Sequence, residues 1–107
     1  MSQGRSVQGG MMFAIKIHRC RGEVLVAACD LELLGQEFRE DKKRLKVSSS
    51  FYMGEEGDQE MLCNRIDSAS IINLVGRRSI EAAEKAGLHC ERVISIDGVP
   101  HAQIVRL

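Results

Sequence analysis

Four groups of residues in this chain have types and spacings that could do chemistry. The first is Val99-Pro100-His101-Ala102-Gln103. Proline fixes the backbone just ahead of a histidine, a side chain able to donate or accept a proton near neutral pH. Gln103, two residues on, would share a strand face with His101 and set an amide beside the imidazole. His101 and Gln103 are therefore the candidate catalytic pair, or else two polar residues tying down loop carbonyls at a strand start. The second group is Asn73 with Gly76-Arg77-Arg78-Ser79. Free N–H groups at a helix start attract anions, and two arginines there could clamp a phosphate. The plain alternative is a solvated turn with Asn73 bonding the connection.

The third group is basic. Lys16, His18, Arg19 and Arg21 form one cluster, and Lys42, Lys43, Arg44 and Lys46 form another. If their loops are neighbours, Arg19, Arg21, Lys42, Lys43 and Arg44 could merge into a surface that follows an RNA backbone or a protein partner. Charged hairpin tips also serve solubility and protect sheet edges. With three phenylalanines, one tyrosine and no tryptophan, groups for base stacking are few, and Phe51-Tyr52 is their one adjacent pair. The fourth group pairs His18 with Cys20 and His89 with Cys90. Extended backbone sends His89 and Cys90 to opposite faces, and His18 with Cys20 supplies half of a ligand set at best. No metal site is expected. Cys20, flanked by Arg19 and Arg21, is the thiol best placed to react.

Positioning these residues takes a folded domain, and 107 residues suffice for one. The apolar fraction of 44% and charged fraction of 28% are globular values, so a core can form. Fifteen basic residues balance fifteen acidic ones. That balance argues against sequence-blind adhesion to nucleic acid or anionic membrane and leaves room only for local patches. No apolar run is long enough to span a bilayer, and residues 1–11 read as a polar, Gly-rich flexible leader without a secretory core. Translation could begin at Met11 or Met12, where the apolar pattern starts. A cytoplasmic protein with reduced thiols is the expectation. There is no Walker loop, HExxH, GxSxG, CxxC or dinucleotide fingerprint, and no cofactor is implied.

Residues 12–107 form a single domain in this reading. Met12 to His18 alternates apolar and polar residues as a half-buried strand does. Glu23 to Cys29 is apolar throughout, as in a strand covered on both faces. Arg19-Cys20-Arg21-Gly22 turns between them. Asp30 can cap a short turn ended by Gly35. Gln36–Arg39 and Arg44–Ser48 suggest a second hairpin with Phe38, Leu45 and Val47 inward. The stretches Ser48–Ser50 and Met53–Gly57 read as loops. Asp58 caps a helix expected to run to about Leu74, with Leu62, Ile66, Ala69 and Asn73 on one side. A second helix covers Arg77 to Ala86 and stops at Gly87. Arg92–Ile96 and His101–Arg106 are strands joined through Asp97-Gly98, a strong hairpin signal. The order predicts an α+β fold: a largely antiparallel sheet built from N-terminal and C-terminal strands, with two central helices on one face.

Several phrases are similar to a known family: Gly22-Glu-Val-Leu-Val-Ala-Ala-Cys-Asp30, Leu33-Leu34-Gly35, Phe51-Tyr52, Asn73-Leu-Val-Gly76 and Gly98-Val-Pro-His-Ala-Gln103. The chain resembles, from Met12 onward, the archaeal proteins of domain of unknown function 424. The resemblance implies a small stand-alone cytoplasmic domain and no established activity, cofactor or substrate. Two functional readings follow. One is a non-enzymatic binding module for RNA or a protein partner in information processing. The alternative is a small enzyme or anionic-ligand-binding protein using His101 and the Gly76–Ser79 helix start. A homodimer through a sheet edge is a third possibility.

Overall fold

The computed structural model describes residues 12–106; the expected leader and the Met11 start lie outside them. The sheet has six strands: β1 Phe13–Cys20, β2 Glu23–Asp30, β5 Glu55–Gly57, β6 Ile71–Val75, β7 Val93–Ile96 and β8 Val99–Val105, in the order β5-β1-β2-β6-β8-β7. β3 Glu37–Glu40 and β4 Lys43–Lys46 form a separate hairpin. The helices are α1 Ser49–Tyr52, α2 Gln59–Asp67 and α3 Arg77–Lys85, with a 3-10 turn at Leu31–Leu33. Every neighbouring pair in the large sheet is antiparallel except β2 with β6. The fold is therefore the α+β arrangement expected, with strands from both ends of the chain in one sheet.

Local chemistry explains most elements. Arg21-Gly22 and Asp97-Gly98 all have positive φ, between 51° and 83°. Two-residue hairpins need that backbone at both central positions, and Gly and Asp accept it most readily. Asp58 Oδ1 accepts the Met61 N–H at 3.0 Å and starts α2. α3 ends with the Leu88 N–H on the Ala83 carbonyl and the Gly87 N–H on the Glu84 carbonyl, a paired closure of the last turn.

Three expectations need correction. The helix from Asp58 stops at Asp67, and Ile71–Val75 is the parallel partner of β2. Ile71, Ile72 and Val75 are β-branched and fit a strand covered on both faces, which outweighs the helical spacing of Leu62, Ile66, Ala69 and Asn73. Ser49–Tyr52 is a helical turn, and Glu55–Gly57 is an edge strand on β1. Asp30 does not cap the turn that follows it.

The sheet carries a core on each face. On one, Leu62, Ile66, Ile80, Ala82 and Ala83 from α2 and α3 cover Phe13, Ile15, Val26, Ala28, Ile72 and Leu74. On the other, Ala14, Ala27, Cys29 and Val75 lie under Tyr52, Leu45, Val47 and half-buried Phe38. The second cover is partial. It reaches the sheet's upper end, where Asp30, Val75 and Val99 lie, and leaves the lower end open.

Candidate functional site

Asp30 ends β2 with its carboxylate pointing at the start of α3. Its Oδ1 accepts the Ser79 N–H and the Ser79 hydroxyl, both at 2.8 Å, and its Oδ2 accepts the Arg78 N–H at 3.2 Å. Arg78 adds an ion pair to Asp30 at 3.9 Å and another to Glu32. Asp30 and Ser79 are buried. Gly76 makes room: at φ +108°, a Cβ there would sit 2.3 Å from the Asp30 carboxyl carbon. The helix start expected to hold an external anion through Gly76, Arg77, Arg78 and Ser79 thus already holds the protein's own carboxylate. Two N–H donors and the dipole are satisfied internally, and Arg77 stays exposed on the surface.

Asn73 departs from that group and joins His101. β6 and β8 are adjacent, and Asn73 Oδ1 lies 3.2 Å from His101 Nε2 while accepting the Tyr52 hydroxyl at 2.8 Å. A carbonyl oxygen can only accept, so His101 carries its proton on Nε2 in this contact. In the neutral ring, Nδ1 keeps its lone pair. Burial lowers the His101 pKa, which keeps the ring neutral at pH 7. Burial also pushes the Tyr52 phenol well above its usual range, so it donates and does not ionise. Cys29, near enough to Tyr52 to influence its phenol, is fully buried and pushed up to about 12, first by burial and then by the Asp30 charge. Such a thiol stays protonated and is no nucleophile.

Around this network the lower sheet face is open. Side chains on it alternate along each strand: Lys16, His18 and Cys20 on β1, Leu25 on β2, Ile71 and Asn73 on β6, and His101, Gln103 and Val105 on β8. His18 Nε2 bonds the Phe51 carbonyl at 2.8 Å, and the two rings stack with centroids 4.6 Å apart. A shallow cavity of about 320 Å³ is lined by His18, Cys20, Arg21, Glu23, Leu25 and Ile71. A second, of about 280 Å³, is lined by Arg92, Ile94, His101, Gln103 and Val105. A third, of about 330 Å³, opens at the sheet edge beside Arg92, Gln103 and Val105, with His89, Cys90, Glu91 and Ile104. His101 and Gln103 therefore do share one concavity. Arg92 and Ile94 carry no motif of their own in the sequence; their one signal there is their placement just before the Asp97-Gly98 hairpin, which sets Ile94 opposite His101.

The two basic clusters do not merge. Arg19 and Arg21 stand at the lower end of β1, at the β1–β2 turn. The Asp97 N–H donates to Glu40 at 2.7 Å, which holds the β3–β4 tip with Lys42 and Lys43 at the upper end beside β7. β7 lies four strands from β1, and β1 itself runs eight residues, roughly 25 Å at 3.3 Å per residue. Arg44 is engaged by Glu37 at 3.3 Å. Among the described residues no group of three or more His, Cys, Asp or Glu could hold a metal ion. No helix among them is long and apolar enough to cross a membrane.

The fold recurs elsewhere. A crystal structure of an uncharacterised conserved protein from Methanopyrus kandleri is similar with a TM-score of 0.76 and 27% identity, covering 89% of this chain and 93% of that one. No curated protein matches. The sequence profile of DUF424, described as a protein of unknown function, matches residues 18–107, and with most of its length so matched the chain belongs to the DUF424 family.

Proposed function

We propose that this chain is a non-enzymatic binding module that takes a short single-stranded segment of RNA on the lower face of its sheet. The observation that carries the reading is the side chain set at the Asn73–His101 junction. There, the neutral His101 ring, held by Asn73, and the exposed Gln103 line an open concavity beside Arg92, which has no ion-pair partner among the described residues. Amides and imidazoles suit the hydrogen-bonding edges of unpaired bases, and arginine suits phosphate. The balanced overall charge fits a local contact of this kind better than tracking along a long backbone. A binding role also agrees with the inert state of Cys29, since the network contains no activated nucleophile.

The test is retention of labelled single-stranded RNA, read by fluorescence anisotropy. His101→Ala and Gln103→Ala should weaken binding, while Lys42, Lys43 and Arg44 changed together to Glu should leave it nearly unchanged. Loss of thermal stability without loss of binding in the first two variants would make the junction a packing feature. A protein captured from lysate with and without RNase treatment alike would replace RNA by a protein partner.

A further inference from the structure

We infer that the notch where β7 stops is a mononucleotide site. This deepens the RNA reading above and rests on it. β7 pairs with β8 only from Val99 to Ala102, so β8 runs three residues further, Gln103 to Val105, beside the non-strand segment His89–Arg92. Which main-chain groups face outward follows from the ladder. The Pro100 carbonyl accepts the Gly76 N–H and the Arg106 N–H donates to Ser70, both on the β6 side. Alternate residues of a strand turn both main-chain groups to the same side, so Ala102 and Ile104 also face β6. The main-chain groups of Gln103 and Val105 therefore face away from β6: the Val93–Ala102 pairing directs the Gln103 N–H to the Arg92 carbonyl, and the Val105 groups face the notch.

The notch has two lobes, and Arg92, Gln103 and Val105 belong to both. The edge lobe brings Arg92 and His89 together with the outward Val105 N–H, a donor set suited to one phosphate. Glu91, on the same wall, is an acceptor placed for ribose hydroxyls. The face lobe sets His101 and Gln103 between Ile94 and Val105, which are 50% and 55% exposed. Exposed aliphatic side chains flank a flat ring, while the imidazole lone pair and the amide meet donors and acceptors on its edge. At about 280 and 330 Å³ the lobes sit at the lower end of the range for small-molecule pockets. The implied ligand is a planar base carrying one phosphate, free or at the end of an RNA strand.

The experiment is a titration of the ¹⁵N-labelled chain with AMP, UMP, adenosine, inorganic phosphate and a short single-stranded RNA, followed by amide shifts. AMP should move the Gln103, Val105 and Arg92 amides most. Arg92→Gln, a change at an exposed position, should weaken AMP about tenfold and leave adenosine nearly unaffected, the loss expected when a charge-assisted hydrogen bond is removed. Gln103→Ala should weaken AMP and UMP without weakening phosphate. If neither nucleotide moves these amides at millimolar concentration, or phosphate alone binds as well as AMP, the site is overturned. RNA that binds while these amides stay still would overturn the notch and keep the RNA module. AMP bound at the notch with no RNA retained would do the reverse.

Discussion

The buried carboxylate of Asp30 accepts both the backbone N–H and the hydroxyl of Ser79, a residue 49 positions later, at 2.8 Å each. This contact ties the end of β2 to the start of α3 and closes the helix face of the sheet. Asp30→Ala should cost about 2–3 kcal/mol, since it orphans buried donors as well as removing a cap. Gly76→Ala should cost a similar amount through its φ of +108° and the collision with Asp30. The double variant should lose less than the sum, because removing the carboxylate relieves the collision. Denaturant unfolding of the four proteins measures this, and strict additivity would refute the steric link.

His101 gives the fold a pH signature. Burial lowers its folded pKa below that of the unfolded chain, so the unfolded state binds the proton first. Stability is complete above about pH 6.5 and falls as pH drops from there towards the lowered folded value. Melting temperatures between pH 7.5 and 5 should show this decline, and His101→Gln should flatten it. The Glu55 carboxyl, held below its usual 4.5 by hydrogen bonds from Arg65, acts in a more acidic window. Parallel curves for the two proteins would mean that His101 titrates normally.

Tyr52 is the one tyrosine and there is no tryptophan, which makes its titration readable by ultraviolet absorbance. The folded protein should show no phenolate as pH passes 10, and ionisation should coincide with unfolding. A raised pKa makes this stability present below pH 10 and lost above it. Tyr52→Phe should cost about 1 kcal/mol for the lost bond to Asn73.

Thiol accessibility should be ordered by burial. Cys20 is exposed, Cys63 and Cys90 are half-buried and Cys29 is fully buried. Iodoacetamide followed by mass mapping should modify Cys20 first and Cys29 only after denaturation. Early labelling of Cys29 would contradict the closed core over β2.

What could be read from the chain alone was whatever neighbouring residues decide. The Asp97-Gly98 and Arg21-Gly22 turns, the Asp58 cap, the Gly87 closure and the inward set of Leu45, Val47, Ile80 and Ala83 all follow from chemistry within a few positions. They were sufficient for the α+β class and for two helices on one face. Ile71–Val75 escaped that reading because its partner β2 lies more than forty residues away, and a five-residue stretch with four apolar side chains suits a helix as well as a strand until the pairing is known. The site was decided the same way. Strand register alone sets Asn73 against His101, carries Arg21 and Lys43 to opposite corners, and ends β7 one residue short of Gln103. Asp30 takes the place of an outside anion because two segments 49 residues apart meet. Residue types supplied the donors, acceptors and charges; long-range packing chose which of them meet each other and which face solvent.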